Sequence, residues 1–388
     1  MYAEGPRSLV SSFLNGFNSC LLCYGQTGSG KTHTMFGPES AFSVEITNNS
    51  GIVMRTCQEL LQGKEALAKI GIFISYSVQF VEIYNETVTD LLSGREVGIR
   101  RDSGMQFIIS YISNLFCECN YELNIIGSGE LVNATEQSFE SLAEIVEILQ
   151  TGHERKHFAA TAMNDHSSRS HSVLVVQCTQ SCTRRGLTIR SQMHLVDLAG
   201  SERIAKSRVT GQNLREAVGI NSSLLVLGKV ISSLVECKNH IPYLESKLTT
   251  LLRSAFGGNS RTLAIINCRS DDQHGDETLQ SLRFGERCGL ISNSLKTIAS
   301  STQDALSVLN ETLERVSNQL SGLEARNKTS LPSYQKLKFS YQQLMRKKAE
   351  LHIDQTENVD CKTTGLNQKL VEHPPMYYPI SKLIACGH

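Results

Sequence analysis

The chain has 388 residues, of which 40% are apolar and 20% charged, a composition typical of a globular protein with a hydrophobic core. Lys and Arg balance Asp and Glu at 38 each, so no overall field attracts nucleic acid or an anionic membrane, and neither is expected as a partner. Neither the start of the chain nor any later apolar run resembles a secretion signal or a membrane span. We expect a soluble intracellular protein.

Apolar runs and helical patterns alternate before about residue 292. The apolar runs predict buried strands at residues 19–25, 77–84, 172–178, 193–200 and 261–268. The helical patterns predict helices at residues 138–152, 221–236 and 246–258. Because strands and helices alternate, we expect an α/β fold with a mostly parallel central sheet and helices on both faces. Residues 107–129 are apolar and rich in cysteine, follow neither period, and receive no predicted function.

The pattern changes after about residue 292. Apolar residues then recur at alternating spacings of three and four, as in a coiled coil, at Leu306, Leu309, Leu313, Val316, Leu320 and Leu323. Pro332 must break or kink a helix in this region. Two interpretations stay open: a homodimer through residues 295–352, or two helices that pack on the main domain or on each other as a hairpin.

These patterns divide the chain into three parts. Residues 1–293 form the α/β domain, and residues 294–354 form a helical segment. Residues 355–388 show no periodicity, and we expect them to be disordered.

The twelve cysteines are scattered along the chain. Cys20 and Cys23 form a C-x-x-C pair, but no second pair stands at zinc spacing. Because this pair lies in an apolar run, where cysteine acts as a small buried hydrophobe, we interpret it as structural.

Residues 25–32 match the pattern G-x-x-x-x-G-K-[ST] and follow a predicted strand. In such a loop, backbone N–H groups surround phosphates, the lysine places a charge on the β and γ oxygens, and the hydroxyl of the last residue binds Mg²⁺. A glycine turn with a solvated lysine is the alternative, and the preceding strand disfavours it. The predicted nucleotide-binding residues are Gly25, Gln26, Thr27, Gly28, Ser29, Gly30, Lys31 and Thr32.

Two further segments place polar groups beside predicted strands. The strand at residues 193–197 ends in Asp197 and is followed by Gly200, which suits a carboxylate near a metal ion and a flexible backbone behind it. Residues 164–172 contain hydroxyls, an arginine and two histidines ahead of a strand. This second segment is either a solvated turn or a sensor of the γ-phosphate.

In this order, GQTGSGKTHTMFG, NDHSSRSH and DLAGSE resemble the P-loop, switch I and switch II of a kinesin motor domain. VEIYNETVTDLL, HIPYLESKLTTLLRSAFGG and SLRFGERCGLISN agree with the same family. The resemblance covers residues 1 to about 293. It implies a motor that hydrolyses ATP with Mg²⁺ and moves on microtubules, in the cytoplasm and on the cytoskeleton. The N-K-x-D motif of GTPases and the H-R-D and D-F-G motifs of protein kinases are absent.

The resemblance also implies roles for single residues. Ser168 completes the metal shell with Thr32 and Asp197. Arg169 and Glu202 form the salt bridge that closes over the γ-phosphate and helps to place the attacking water.

Three further residues match the family in the same way. Gly200 is the backbone sensor of the γ-phosphate, His33 lies near the purine, and Asn221 opens the long switch II helix.

The sequence departs from the family on the surface expected to bind microtubules. Leu244 and Thr250 stand where the family often has arginine, and Gly219 and Ser222 replace an asparagine and a lysine. Because tubulin is acidic, each missing charge weakens binding. The basic residues that remain on this predicted surface are Lys238, Lys247, Arg253 and Arg261.

The sequence before residue 25 is the second departure. The family's first strand, with its R-x-R-P adenine motif, has no counterpart, and the chain begins within RSLVSSFLNGFN. We therefore expect a sheet strand without its usual neighbour, weak ATP binding and marginal stability. A function of another class stays open, namely a catalytically weak or inactive kinesin relative that acts as a microtubule tether or an oligomerising scaffold.

Overall fold

The computed structural model describes residues 2–38, 42–100, 130–162, 169–182, 187–202, 212–271, 274–295, 298–301 and 376–387, and short helical stretches within 313–325 and 334–345. None of the helices in these ranges is long and apolar enough to cross a membrane. The segment 107–129 lies outside the described residues.

The described strands lie in one large sheet and two ladders of two strands. In chain order they are β1 (Asn18–Tyr24), β2 (Ile72–Tyr84), β3 (Thr87–Asp90), β4 (Gly98–Arg100), β5 (Glu130–Val132), β6 (Gln137–Ser138), β7 (His171–Cys182), β8 (Leu187–Asp197), β9 (Ser260–Arg269), β10 (Ser292–Leu295), β11 (Ile298–Ser301), β12 (Met376–Pro379) and β13 (Ser381–Gly387). The main path through the large sheet is β13-β9-β1-β8-β7-β2-β3, with β11 beside β8 and β6 beside β2. The small ladders are β4-β5 and β10-β12.

The large sheet is mixed. The strands β13, β9, β1 and β8 pair in parallel, whereas β8-β7, β7-β2 and β2-β3 pair antiparallel. Five of the seven strands on the main path therefore run in one direction, and β7 and β3 run in the other. All five strands predicted from apolar runs are present. The prediction of a mostly parallel sheet is confirmed in the sense that most strands run in the same direction.

Helices cover both faces of the sheet, as predicted. They are α1 (Pro6–Leu14), α2 (Lys31–Met35), α3 (Ile52–Ala68), α4 (Leu142–Ala162), α5 (Gln212–Val235), α6 (Lys247–Leu251) and α7 (Gly275–Cys288). The first core, on one face, includes Phe13, Leu60 and Leu149 of α1, α3 and α4. The second core, on the other face, includes Leu227 and Leu251 of α5 and α6.

The first of these strands, β1, shows why the apolar runs form buried strands. Its side chains alternate between the two cores, with Leu21 and Cys23 in the first and Cys20 and Leu22 in the second. Cys20 and Cys23 therefore point to opposite faces and cannot hold one metal ion together. Among the described residues no group of three or more His, Cys, Asp and Glu side chains is arranged to hold a metal ion. The structural interpretation of this pair agrees with the geometry.

The predicted helix at residues 246–258 is shorter than expected, because α6 ends at Leu251. Its start is capped by Ser246, whose hydroxyl accepts a hydrogen bond from the N–H of Thr249 at 3.1 Å. Beyond the helix, the side chain of Asn293 donates to the carbonyl of Ala255 at 2.8 Å and accepts from the N–H of Gly257 at 2.8 Å. A distant side chain thus satisfies backbone groups that a longer helix would have paired.

The expectation of disorder for residues 355–388 is wrong for residues 376–387, which form β12 and β13. Between these strands Ile380 is 3% exposed, and its N–H donates to the carbonyl of Ile291 at 2.9 Å. Because β13 pairs with β9 on the side opposite β1, β9 has a neighbour on both sides. The strand that we expected to lack a neighbour is therefore not β9.

Helical residues occur on both sides of Pro332. Leu313 and Tyr334 are buried, and the Tyr334 hydroxyl donates a 2.7 Å hydrogen bond to the Glu324 carboxylate. This bond joins the segment before Pro332 to the segment after it. The contact is of the kind that the hairpin requires, and no coiled coil is formed by the described residues.

Candidate nucleotide-binding site

The loop at residues 25–30 connects β1 to α2 at the carboxyl end of the sheet strand. Gly28 and Gly30 have φ angles of 76° and 86°, in the left-handed region that favours glycine. Gly25 is required for space, because a Cβ there would lie 2.1 Å from the backbone oxygen of Asn267. The glycines therefore fix the curvature of the loop and its close approach to β9.

Lys31 is buried at the start of α2, and its ammonium donates to the backbone oxygen of Gln26 at 2.9 Å. Burial lowers the pKa of Lys31, while the negative charges of Asp197 and Glu202 act in the opposite direction. Gln26 and Ser29 are buried within the loop. The loop thus holds a cation beneath the backbone that is predicted to contact phosphates.

Thr32 and Asp197 are brought together as predicted. The Thr32 hydroxyl donates to Oδ2 of Asp197 at 2.6 Å, and the pairing of Cys23 with Asp197 places the carboxylate at the end of β8 beside the loop. The other carboxylate oxygen, Oδ1, is buried without a hydrogen-bond partner in the described structure. A hydroxyl beside a carboxylate with a free oxygen fits the hard oxygen ligands that Mg²⁺ prefers. Ser168, the third predicted ligand, lies outside the described residues.

Glu202 contacts the P-loop and not its predicted partner. Its carboxylate accepts hydrogen bonds from the Thr27 N–H at 2.8 Å and from the Thr27 hydroxyl at 2.6 Å. Among the described ion pairs none joins Glu202 to Arg169, so the expected salt bridge is not formed in this structure. Gly200 lies between the two groups, because a Cβ there would lie 2.3 Å from Thr27 Oγ1 and from Glu202 Oε2. The predicted sensor glycine is therefore in contact range of both the P-loop and switch II.

His171 is a functional candidate to which the sequence interpretation gave no individual role, although it lies in the segment 164–172. The backbone N–H of Ala199 donates to its Nδ1 at 3.0 Å, so the proton of the neutral ring is on Nε2, which donates to the Ser223 hydroxyl at 2.8 Å. Burial, together with the charges of Lys156 and Lys31, lowers the pKa of His171 to about 3, and the ring is neutral at physiological pH. One side chain thus connects the start of β7, the backbone of switch II and α5.

A cavity of about 480 Å³ opens beside the loop. The predicted residues that line it are Thr27, Gly28, Gly30, Lys31, Thr32, His33 and Asp197. The sequence interpretation missed the contribution of α4, which supplies His153, Lys156 and His157. Their spacing of three and four residues on a helix was the available signal, since such positions share one face.

Two contacts hold the face of α4 that lines the cavity. Lys156 donates to the Ser172 hydroxyl at 2.7 Å, and the ring of His153 packs edge-on against Phe36 at a centroid distance of 5.0 Å. Lys156 thus adds a second ammonium, besides that of Lys31, to the lining of the cavity. Asn221, expected to open the long helix, lies inside α5, which begins at Gln212.

The basic residues predicted to contact microtubules do not all lie together. The Arg253 guanidinium stacks 5.5 Å from the ring centre of Tyr243, in the turn that precedes Lys247, and Lys238 pairs with Glu236 at 2.8 Å. Arg261, in contrast, donates to the Ser8 backbone oxygen at 3.3 Å and to the Ser12 hydroxyl of α1. Because its guanidinium is bound to α1, we leave Arg261 out of the predicted surface.

The family model of the kinesin motor domain matches residues 1–291. The chain belongs to the kinesin motor family. It is 36% identical to the kinesin-like protein KIN-14D of Oryza sativa subsp. japonica over 335 residues, which cover 84% of this chain and 32% of that protein. It is 40% identical to KIN-14H of Arabidopsis thaliana over 286 residues, or 74% of this chain and 25% of that protein. The chain thus spans about a third or less of the length of these curated relatives.

Two solved kinesins have a similar fold. A structure of a fast kinesin, described for its ATPase mechanism and interactions with microtubules, matches with a TM-score of 0.67 and 34% identity over 77% of this chain and 78% of that chain. The KIF14 dimer in a two-heads-bound state, with AMP-PNP in complex with a microtubule, matches with a TM-score of 0.63 and 33% identity over 76% of this chain and 77% of that chain. The kinesin fold predicted from the sequence is confirmed.

Proposed function

We propose that this kinesin chain is a motor that hydrolyses ATP with Mg²⁺ and couples the hydrolysis to binding and movement on cytoplasmic microtubules. One observation carries the proposal: the hydrogen bond between Thr32 and Asp197 lies in the wall of a cavity that the P-loop also lines. Phosphoryl transfer needs placed charges and a held metal more than covalent chemistry, and this wall offers charged side chains and oxygen ligands for a metal ion. The rival function, a catalytically weak tether, gains no support from the described residues.

The P-loop would bind the phosphates of ATP. Thr27, Gly28, Gly30, Lys31 and Thr32 of the loop line the cavity, and Lys31 would supply the positive charge for the β and γ oxygens. The shift of the Lys31 pKa by burial is opposed by Asp197, and a bound triphosphate would favour the charged ammonium further. His33 is on the same wall, where we propose that it contacts the purine.

Thr32 and Asp197 would hold Mg²⁺, with Asp197 acting in part through water and Ser168 proposed as a further ligand. The metal ion would neutralise charge on the phosphate oxygens. The unpartnered Oδ1 atom of Asp197 supports this assignment, because a buried carboxylate oxygen without a hydrogen bond is costly unless something binds it.

The gate over the γ-phosphate would be formed by Arg169, Gly200 and Glu202. Glu202 is on Thr27 in this structure, so the ion pair with Arg169 requires the carboxylate to exchange partners. His171 joins the switch II backbone to α5 and could pass that exchange to the helix. We propose that α5, with the surface of Lys238, Lys247 and Arg253, carries the response to the microtubule.

The test is a steady-state phosphate-release assay of the chain with and without polymerised tubulin. We expect slow MgATP hydrolysis that rises at least tenfold with microtubules, since both switch motifs and the P-loop are whole. ATP binding without turnover in either condition would point to the tether instead. Sedimentation velocity of the same chain tests the hairpin, which predicts a monomer, against a homodimer through residues 295–352.

A further inference from the structure

The edge of the central sheet that lies nearest the P-loop is covered by β13, a strand from the far end of the chain. It pairs in parallel with β9 at seven positions, from Ser381 beside Leu263 to Gly387 beside Arg269. Just before it, β12 pairs antiparallel with β10 at four positions. We name residues 376–387 the docking segment.

The docking segment packs against the rest of the protein through Ile380 and through one face of β13, and the other face of β13 is exposed. Ile380 is the buried residue between its two strands, and Leu383 and Ala385 pack against the first core. On the other face of the same strand, Ile384 is 56% exposed. In the described sheet β13 is the terminal strand of the main path, and strands with one neighbour open at lower free energy than strands with two.

The segment reaches this edge from a distance in sequence. Residues 302–375 separate β11 from β12, so the strand is tethered and not a continuation of its neighbour. The entropic cost of closing such a tether grows only with the logarithm of its length, and tethering raises the local concentration of the strand at the edge. A long tether and a high local concentration allow the strand to leave the sheet edge and return to it as a whole.

The residues of β9 that pair with the end of β13 are also those that contact the P-loop. Asn267, opposite Ala385, donates its side-chain amide to the Thr34 hydroxyl of α2 at 2.9 Å. Its backbone oxygen is the atom against which Gly25 packs. Arg269, opposite Gly387, approaches Gly28 from the same strand, with Nη1 3.2 Å from the position of a Cβ there.

We propose that residues 376–387 form a docking segment that adds to the open edges of β9 and β10 within one chain and that tightens nucleotide binding when docked. The ladder to β9 fixes the backbone of Asn267 and Arg269, and these residues fix the curvature of the P-loop. The proposal rests on the proposed function only in taking a nucleotide as the ligand of the cavity. The binding of the segment itself does not depend on that function.

Thermodynamic linkage makes the coupling reciprocal. If docking of the segment raises nucleotide affinity by some factor, nucleotide binding raises the equilibrium constant for docking by the same factor. We therefore expect hydrogen exchange at residues 381–387 of the unmodified chain to slow by about fivefold or more when MgADP is added. This measurement needs no variant, so it decides the coupling even if a substituted chain folds poorly.

The matched variants are Leu383→Asp and Ile384→Asp in the full chain. Both lower strand propensity on the same strand, but only Leu383 packs against the first core. We expect Leu383→Asp to weaken MgADP binding about tenfold, and Ile384→Asp to change it less than about twofold, by fluorescence titration of a labelled nucleotide. Equal affinities for the two variants would overturn the coupling.

A labelled synthetic peptide of residues 376–388 tests docking directly. It should bind the Leu383→Asp chain, restore its MgADP affinity, and bind the unmodified chain at least tenfold more weakly, because there the edge is filled in cis. If the unmodified chain binds no MgADP, the proposed function fails, and peptide binding to Leu383→Asp still decides docking. A peptide that binds neither chain overturns the proposal. So does an unmodified chain that sediments as a dimer and becomes a monomer with Leu383→Asp, since the strand would then dock on a second copy.

Discussion

Glu202 is bonded through both of its carboxylate oxygens to Thr27, at 2.8 Å from the backbone nitrogen and 2.6 Å from the hydroxyl. Charge-assisted hydrogen bonds of this kind are about twice as strong as neutral ones. The carboxylate must give them up before it can pair with Arg169. The proposed gate is therefore a competition between Thr27 and Arg169 for one carboxylate.

Removing either member of the gate should stop turnover and spare binding. We expect Arg169→Ala and Glu202→Ala each to lower tubulin-stimulated ATP turnover by about 100-fold or more, because charge that stabilises the transition state is lost. Nucleotide affinity should change less than about threefold, since neither residue holds the α- and β-phosphates. The measurements are phosphate release and labelled-nucleotide titration.

The double variant tests whether the two residues act together. Its turnover should be no slower than that of the slower single variant, because removing either residue already destroys the function of the pair. Multiplicative losses would contradict a shared salt bridge. Glu140→Ala, which removes an exposed carboxylate paired with Lys64 of α3, is the control for a change of charge alone.

Asp197→Asn should uncouple nucleotide binding from Mg²⁺. The amide oxygen can still accept the Thr32 hydrogen bond, so the loop should keep its shape, but the charge for the metal ion is gone. We expect the ADP affinity in excess EDTA to stay within about twofold of the unmodified chain, while the gain on adding Mg²⁺ shrinks about tenfold or more. A gain of unchanged size would place the metal ion elsewhere.

The parts of this site that the sequence predicted are those whose chemistry is local. Lys31 and Thr32 are fixed by the spacing of one loop, and Asp197 ends a strand whose apolar pattern is plain. The part of the cavity lining that α4 supplies was missed, because the helix pattern at residues 138–152 ended before Lys156. Which face of α4 meets the P-loop depends on packing between distant elements.

The errors in the fold have the same origin. Asn293 satisfies the backbone of Ala255 and Gly257 from another part of the chain, so α6 stops before the periodicity at residues 246–258 does. The strand β13 has an apolar run of only four residues, at positions 383–386, and its pairing with β9 spans more than 100 residues of sequence. Such non-local pairing has no signal in any local window.

Acidification should destabilise the chain through two buried histidines. Burial lowers the pKa of His171 to about 3 and of His194 to about 4, whereas both take up a proton near pH 6.5 when unfolded. Between these values the unfolded state binds more protons, so the free energy of unfolding falls as pH falls. The slope of the unfolding free energy approaches about 1.4 kcal/mol per pH unit for each histidine. Between pH 6.5 and pH 5 each histidine therefore lowers the free energy of unfolding by about 2 kcal/mol.

The check is urea unfolding at several pH values between 7 and 5. His194→Met should lower the slope of unfolding free energy against pH by about the contribution of one histidine, because it removes one titrating group. The substitution suits this test, since the buried Nδ1 of His194 has no hydrogen-bond partner among the described atoms and no bond at that atom is lost. An equal slope in the two chains would mean that His194 is not held neutral by the fold.

Adding charge at Leu244 should strengthen microtubule binding, whereas adding it at Thr250 should damage the fold. Leu244 is 57% exposed, so an arginine there can extend into solvent. Thr250 is buried, and its hydroxyl donates to the carbonyl of Ser246 at 2.7 Å and approaches that of Tyr243 at 3.0 Å. Of the two positions where the family often has arginine, only Leu244 can accept one without losing buried hydrogen bonds.

We expect Leu244→Arg to tighten binding to polymerised tubulin by about threefold to tenfold at low salt, with the gain shrinking as salt screens the charge. Ile70→Arg is the matched control, because Ile70 is 64% exposed and an arginine there adds the same charge. Ile70 follows α3, which packs on the first core, whereas Leu244 lies beside α6, which packs on the second core. The two added charges therefore lie on opposite faces of the sheet. Co-sedimentation at two salt concentrations measures both chains. If Ile70→Arg gains as much as Leu244→Arg, net charge alone drives the attraction. If neither gains, the turn at residues 243–245 does not face the microtubule, and the surface of Lys238, Lys247 and Arg253 must be sought elsewhere.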